Sequence, residues 1–320
     1  MRTRTKVWII MAACLVLIGC LLFVGVMTMF NWDFTKLSTV RFELNEHEIS
    51  ENFSNISADT DTAEIVFLLS DDEKCRVECY EESKARHSVT VENDTLIIKT
   101  VNKKAWYDHI GISFGSPKIS VYLPKAQYSA LNIKESTGDI KIPSDFEFES
   151  ADITLSTGNI DFSSSVSELI KIRTSTGDIF AQNITAGALD LSASTGRITV
   201  SNVECKEDIR LKVSTGKTTL SNIKCRNLIS NGSTGSISLD SVIATEKLSI
   251  KRSTGDVSLD SADASEIFIE TDTGDVLGSL LNSKIFITQT DTGKISVPNS
   301  VSGGKCEIKT DTGDIKITVK

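Results

Sequence analysis

Residues 131–320 contain no tryptophan, no tyrosine and no histidine, although they make up more than half of the chain. A Ser-His-Asp nucleophile needs a histidine, so that catalytic arrangement is excluded from this region. Glycoside hydrolysis needs paired carboxylic acids and usually aromatic side chains that support the sugar rings. We therefore expect a non-enzymatic protein without a cofactor, and a carbohydrate-active enzyme is the alternative.

The triplet Ser/Asp-Thr-Gly occurs ten times between residues 136 and 313, and its glycines are 19 or 20 residues apart. A period of this size indicates a solenoid with one supersecondary unit per repeat. Apolar residues recur at most repeats seven and five positions before the glycine and two and four positions after it, with eight of ten apolar at the position five before. A spacing of two is strand periodicity, so each coil should hold two short strands and a variable turn. The pattern predicts an all-β fold with a parallel β-solenoid over 131–320.

Glycine is expected at the corner because the chain turns there with positive φ or passes too close to its neighbour for a Cβ atom. The preceding threonine would stack on its equivalents in a ladder of hydroxyl and methyl groups. This interpretation gives the motif a structural role. The corner residues are Thr137, Gly138, Thr157, Gly158, Thr176, Gly177, Thr195, Gly196, Thr215, Gly216, Thr234, Gly235, Thr254, Gly255, Thr273, Gly274, Thr292, Gly293, Thr312 and Gly313.

Three late repeats carry aspartate in place of serine, at Asp272, Asp291 and Asp311. Asp-Thr-Gly is also the catalytic motif of aspartic proteases, but here the acid fills an ordinary repeat position, and we reject a protease. Stacked coils would place the three carboxylates about 5 Å apart, and Asp275 and Asp314 add two more after the glycine. Calcium prefers such oxygen ligands, so these five acids are a calcium candidate. The simpler alternative is an exposed acidic face without metal.

Residues 7–30 form an uncharged, mostly apolar run that follows three basic residues in the segment 1–6. As a helix it would be roughly 36 Å long, enough to cross a bilayer. The positive flank predicts a single-pass cell-membrane protein with residues 1–6 in the cytoplasm and the bulk of the chain outside. Two alternatives are a cleaved signal peptide and a lipoprotein signal ending at Cys20, but residues 21–29 stay apolar and no small-x-small site follows Phe30.

The chain has 43 acidic and 34 basic residues, and three of the basic ones precede the apolar run. The exported part is therefore acidic, which disfavours nucleic acid as a partner. The partners we expect are the membrane, through the helix, and an envelope protein or polysaccharide.

The seven cysteines include no Cys-x-x-Cys pair and give no support for zinc. Cys205 and Cys225 each lie nine residues after a repeat glycine, so stacked coils would bring them within disulfide range. Cys75 and Cys79 are the other candidate pair. Both pairs are equally well interpreted as free thiols.

Residues 31–130 show short strand-like runs separated by polar turns and are expected to form a β-rich cap over the first coil. The cluster Trp106, Tyr107 and His109 is the most site-like group of this region. At the other end we expect Lys316 and Lys320 to discourage edge-to-edge pairing.

The runs 95–99, 118–125 and 131–133, leading into Ser136-Thr137-Gly138-Asp139-Ile140, resemble the bacterial putative-adhesin family of β-strand-repeat proteins. The resemblance covers roughly residues 40–320. It implies a membrane-anchored or exported β-solenoid that acts in adhesion, envelope interaction or stress sensing. The family defines no functional residues that could be carried over.

Overall fold

The computed structural model describes residues 3–38, 40–102 and 115–320. The chain begins with helix α1 (Thr3–Met29) and a short 3-10 helix (Phe34–Leu37). The strands are β1 (Phe42–Ile49), β2 (Asn55–Thr62), β3 (Glu64–Leu69), β4 (Cys75–Glu82), β5 (Ala85–Glu92), β6 (Thr95–Asn102), β7 (Lys118–Leu123), β8 (Gln127–Thr137), β9 (Ile140–Ile142), β10 (Glu147–Thr157), β11 (Ile160–Phe162), β12 (Ser165–Thr176), β13 (Ile179–Thr195), β14 (Ile198–Cys205), β15 (Asp208–Thr215), β16 (Thr218–Thr234), β17 (Ile237–Thr254), β18 (Val257–Thr273), β19 (Val276–Leu280), β20 (Lys284–Thr292), β21 (Ile295–Ser296), β22 (Gly304–Thr312) and β23 (Ile315–Val319).

Helix α1 contains one span, Lys6–Met29, that is long and apolar enough to cross a membrane, with a mean hydropathy of 3.0. The most apolar 18 residues of the span are not covered by the rest of the protein, whereas Met27 near its end is buried. A signal sequence would have the same length and composition. The helix is therefore compatible with a single-pass anchor or with a signal peptide.

The predicted parallel β-solenoid of about ten coils is confirmed. Equivalent positions of successive coils pair in parallel register, as in Thr137 with Thr157, Thr157 with Thr176, and Thr176 with Thr195. The apolar columns before and after each glycine face inward and form one continuous core along the rod. Along each strand, alternate side chains point into this core, and the others form a mostly polar outer face.

Each coil in the middle of the rod has three straight segments, whereas the periodicity predicted two strands and a variable turn. A second corner lies six residues after the glycine, where Asn183, Asn202, Asn222, Ser241 and Ser261 have φ between 53° and 58°. The third segment that follows is short but also contributes inward side chains to the core, including Val203 and Cys205. The register shift between Ala244 and Lys247 accommodates the extra residue of a 20-residue coil.

The stack begins earlier than residue 131. Strand β2 pairs in parallel with β8, and Thr62 lies opposite Thr137, while Ala63 occupies the position of the corner glycine. Strand β3 continues this coil and pairs with β9. Beyond it, β6 pairs in parallel with β2, and β7 pairs in parallel with β3. Antiparallel pairs then add β5 to β6 on one side, and β4 and β1 to β7 on the other.

The last two coils are stacked in the reverse of their chain order. Strand β22 pairs with β18 on one side and with β20 on the other, and β23 likewise lies between β19 and β21. The coil of Gly313 is therefore placed between those of Gly274 and Gly293. Contrary to the sequence-based expectation, Lys316 lies on an internal strand, and Lys320 Nζ binds Asp260 Oδ1 at 2.6 Å.

Within the described part of the chain, β20 and β21 each have a strand neighbour on one side only. They form the distal edge of the rod. Ile285, Ile287 and Ile295 are 44–50% exposed there. The distal edge is thus less completely buried than any coil in the middle of the stack.

The side chain of Arg252 lies inside the rod. Arg252 is 4% exposed, and its Nη2 donates to Ser230 Oγ at 2.9 Å and to Thr218 Oγ1 at 3.2 Å. A Cβ atom at Gly232 would lie 2.0 Å from Arg252 Nη1, so glycine leaves the space for the guanidinium. Burial lowers the pKa of Arg252 to about 10.

Candidate functional site

A cleft with a volume of about 640 Å³ lies in the N-terminal cap. Three turns form it: 48–53 between β1 and β2, 72–76 at the start of β4, and 124–128 between β7 and β8. We call it the cap cleft. None of these residues belongs to the repeat motif, so the fold does not fix their identity, and they can determine binding specificity.

Aromatic side chains form the inner wall of the cap cleft. The rings of Phe53 and Tyr128 are stacked with their centroids 6.1 Å apart, and Tyr128 also packs on Phe148 at 5.9 Å. Tyr128 is 3% exposed and donates its hydroxyl proton to the carbonyl oxygen of Pro124 at 2.9 Å. Burial raises the pKa of Tyr128, so the phenol is neutral and offers a rigid apolar wall.

The rim of the cap cleft is predominantly acidic. Four carboxylates and two cations line it: Glu48, Glu51, Asp72, Glu73, Lys74 and Arg76. A hydrogen bond from the Ser70 hydroxyl to Asp72 Oδ1 at 2.7 Å, together with the backbone N–H of Lys74, lowers the pKa of Asp72. Asp72 therefore remains ionised near neutral pH and suits the attraction of a cation better than the donation of a proton.

The backbone geometry explains why glycine occupies each corner. All ten motif glycines have positive φ. At Gly216, for example, φ is 146°, and an added Cβ atom would lie 1.8 Å from the carbonyl oxygen of Gly196 in the adjacent coil. The two alternatives considered from the sequence, a positive φ and a close approach, both apply.

Where the residue after the glycine is Asp, Asn or Ser, its side chain can accept a backbone N–H from a neighbouring coil. Asp256 Oδ1 accepts the backbone N–H of Asp275 at 3.0 Å, Asp275 Oδ1 that of Asp314 at 2.8 Å, and Asp314 Oδ1 that of Lys294 at 2.8 Å. Two of the five calcium candidates, Asp275 and Asp314, therefore already use one carboxylate oxygen each in this ladder.

The other three calcium candidates, Asp272, Asp311 and Asp291, lie in that spatial order along one exposed file. Their order follows the reversed stacking of the last two coils. No metal-ligand cluster of three or more groups forms around these acids in the described chain. Calcium binding at this file stays a prediction.

A ladder at the second corner was not anticipated from the sequence. Asn202 Nδ2 donates to Asn183 Oδ1 at 3.0 Å, and Asn222 Nδ2 donates to Asn202 Oδ1 at 3.0 Å. Asparagine tolerates this left-handed backbone conformation and pairs with its equivalents. The signal was available, since these residues recur six positions after Gly177, Gly196 and Gly216.

All seven cysteines are free thiols in this structure. Cys75 and Cys79 lie four residues apart on the single strand β4, which places their Cα atoms roughly 13 Å apart, and this rules out a disulfide between them. Cys205 and Cys225 lie in neighbouring coils, and burial raises the pKa of each thiol to about 12. The cluster Trp106, Tyr107 and His109 lies outside the described residues.

Several solved structures are similar to this chain. One is a putative adhesin from Bacteroides fragilis, with 14% identity and a TM-score of 0.41, covering 87% of this chain and 97% of the other. A second is a putative adhesin from Parabacteroides merdae, with 12% identity and a TM-score of 0.40, covering 87% and 96%. A third is a putative cell adhesion protein from Clostridium sporogenes, with 9% identity and a TM-score of 0.25, covering 88% and 100%.

At such identities and TM-scores these structures carry no argument about activity. No curated protein matches this chain. The family model described as Toastrack DUF4097 matches residues 53–211 and 198–320, which together span the solenoid and most of the cap. The chain therefore belongs to the Toastrack DUF4097 family.

Proposed function

We propose that the protein is a non-enzymatic interaction module that α1 anchors in the cell membrane, with residues 1–6 in the cytoplasm and the solenoid outside. The cap cleft is the observation that carries this proposal, because it combines an aromatic wall with an acidic rim at positions that the fold leaves free. Its chemistry suits a partner with both cationic and apolar groups, such as a basic peptide segment of an envelope protein or an amino-sugar polymer.

The anchor places the cap cleft close to the membrane. Residues 30–41 join α1 to β1 and reach at most about 40 Å when fully extended. The cap therefore contacts partners near the membrane surface, while the distal edge of the rod extends away from it. Adhesion and the sensing of envelope stress are both compatible with this arrangement.

A carbohydrate-active enzyme is the alternative from another class. None of the comparisons points to such an enzyme. A glycosidase needs a carboxylic acid with a raised pKa as the proton donor, whereas the pKa of Asp72 in the cap cleft is lowered.

The proposal is tested with the full chain in lipid nanodiscs. A lysine-rich peptide, a glucosamine oligomer and a neutral glucose oligomer are titrated against the wild type and against Glu51→Lys/Asp72→Lys. We expect a cationic probe to bind the wild type and to lose at least about tenfold in affinity, or about 1.4 kcal/mol, in the double variant.

The matched control is Asp59→Lys/Asp61→Lys, which makes the same charge change at two exposed positions of β2 outside the cleft. Equal losses in both double variants would contradict a specific cleft. Shortened sugar oligomers in the mass spectrum, abolished by a single acid substitution, would favour the enzyme instead.

A further inference from the structure

Strands β4 and β5 separate directly after the turn that joins them. They share a single ladder pair, Glu82 with Ala85, and then β4 pairs with β1 and β7 on one side of the cap while β5 pairs with β6 on the other. Three potential metal ligands lie at this fork: Cys79 and Glu81 on β4, and His87 on β5. They form the only cluster of three or more such groups found within the described residues.

The three side chains are fully enclosed. Cys79 is 0% exposed and Glu81 is 1% exposed, while the His87 side chain is 3% exposed. One ligand atom from each residue lies within 4.8 Å of those of the other two. A carboxylate and an imidazole that are buried away from water require hydrogen-bond or ionic partners.

The hydrogen bonds orient His87 but leave it incompletely satisfied. Glu81 Oε2 lies 2.6 Å from His87 Nδ1 and accepts the backbone N–H of His87 at 2.6 Å, and Glu81 Oε1 accepts from Asn45 Nδ2 at 2.6 Å. His87 Nε2, in contrast, is buried without any partner. A metal ion bound by Glu81 Oε2 and His87 Nδ1 together would take the place of the proton between them, and that proton could move to His87 Nε2, which has no other partner.

We propose that Cys79, Glu81 and His87 bind a divalent transition-metal ion, with Zn²⁺ as the best match. A thiolate, an imidazole and a carboxylate are all accepted zinc ligands, whereas calcium and magnesium take oxygen ligands. The site clips β4 to β5 where their ladder ends, so the ion would stabilise the cap. The sequence did not suggest this metal site, because the spacing of the three ligands matches no zinc motif. The ligands come together only in the folded cap, at the point where β4 and β5 separate.

Metal binding at this fork displaces one proton and involves no oxidation. A cysteine thiol without a metal is mostly protonated near neutral pH. The S–H bond breaks, an S–Zn bond forms, and the proton passes to the solvent buffer. Because the ligands are enclosed, the ion is expected to enter as the cap folds.

The experiment measures metal in the full chain purified in detergent from cells grown with added zinc. Cys14 and Cys20 in α1 are replaced by alanine in every protein, so that their exposed thiols do not contribute. Mass spectrometry of the wild-type site should show about one zinc per chain. Growth with Co²⁺ instead should give a near-ultraviolet thiolate-to-cobalt absorption band.

Cys79→Ala should lose both the zinc and the cobalt band, and His87→Gln should lose zinc while it keeps the thiol. Cys306→Ala is the matched control, since Cys306 is also buried but belongs to no ligand cluster. A zinc-free wild type, or zinc retained by Cys79→Ala, would overturn the proposal. If Cys79→Ala fails to fold, the wild type, Cys306→Ala and His87→Gln decide by the same two measurements.

Discussion

At the scale of single residues, the corner glycines are the least replaceable positions of the rod. Each combines positive φ with a neighbouring carbonyl oxygen where a side chain would lie. The nearest atoms are backbone atoms of the adjacent coil, which cannot rotate away as a side chain could. Replacement must therefore displace a coil as well as strain a residue.

Gly216→Ala is expected to destabilise the protein by at least about 3 kcal/mol, since backbone strain of 1–3 kcal/mol adds to the clash with Gly196. Urea unfolding followed by circular dichroism measures the change. Ser214→Ala, two residues earlier and exposed, is the control and should cost less than about 0.5 kcal/mol. Similar costs for the two variants would contradict the geometry.

Glu135 links stability to pH. It is 2% exposed, and burial raises its pKa, although Thr60 Oγ1 donates to its carboxylate. The folded state therefore holds this proton more tightly than the unfolded state, whose value is near 4.5. The contribution of Glu135 to stability is greatest below pH 4.5 and falls as pH rises through the folded pKa.

Glu135→Gln removes this titration. The variant should gain stability relative to the wild type between pH 4.5 and pH 7. The gain should be about 1.4 kcal/mol for each pH unit by which the pKa of Glu135 in the folded state exceeds its pKa in the unfolded state. Urea midpoints at the two pH values measure the gain, and the exposed Glu149→Gln serves as the control. A difference between variant and wild type that does not change with pH would refute the linkage.

The sequence predicted the inward columns residue by residue, but not their exceptions. Thr218 and Ser230 interrupt two apolar columns, and nothing near them in the chain explains why. The structure shows that both bind the guanidinium of Arg252, which lies in a later coil and extends inward. Such a contact depends on which coils are neighbours and on where a long side chain points, and neither follows from periodicity.

At the scale of elements, strand β20 is held by one buried ion pair as well as by its ladder. Lys284 Nζ lies 2.6 Å from Asp263 Oδ1, with side-chain exposures of 5% and 12%. The contact connects β20 to β18 past the start of β22, where Gly304 is close to the Ser265 carbonyl oxygen. Removing Lys284 would leave the buried Asp263 carboxylate without its opposite charge, held only by hydrogen bonds from the Ala264 N–H and from Asn282 Nδ2.

Lys284→Met should cost about 3–5 kcal/mol and should increase hydrogen exchange in β20 first. The control is Lys305→Met, whose side chain is 48% exposed beside Glu307, so that its loss should change stability much less than Lys284→Met. Adding Asp263→Asn to Lys284→Met should recover part of the loss. Independent, additive effects of the two changes would argue against the ion pair.

The order of the elements shows where sequence-based prediction stops. Every coil carries the same spacing, so the period predicts that coils stack but not which coil contacts which. The residue types explain the reversed pair: the coil of Gly313 has only apolar residues at its four inward positions, whereas the coil of Gly293 has Thr288 at one of them. The more apolar coil takes the internal position. The cap cleft was not predicted either, because the three turns that form it are distant from one another in the sequence.

At the scale of the whole molecule, the reversed coils make the distal end a single unit. Strands β20 and β21 contact the rod mainly through β22 and β23. Removing residues 304–320 should therefore unfold residues 284–296 as well, although they remain in the chain. A rod stacked in chain order would lose only the removed segment.

Hydrogen exchange measured by mass spectrometry distinguishes the reversed stacking from stacking in chain order. In the truncated protein, peptides from β20 and β21 should exchange as fast as an unfolded chain, while those from β16 stay protected. Slow exchange in β20 after truncation would mean that it can replace β22 against β18, and the prediction would be wrong.

The reversed coils also have a consequence for biosynthesis. A ribosome adds about 5–20 residues per second and releases the chain from its N-terminus, so most coils can dock on a completed neighbour as they emerge. Residues 284–296 emerge before the strands on which they dock. During translation or export, this segment must wait undocked until residues 304–319 follow, and for that interval its isoleucines are available to chaperones and proteases.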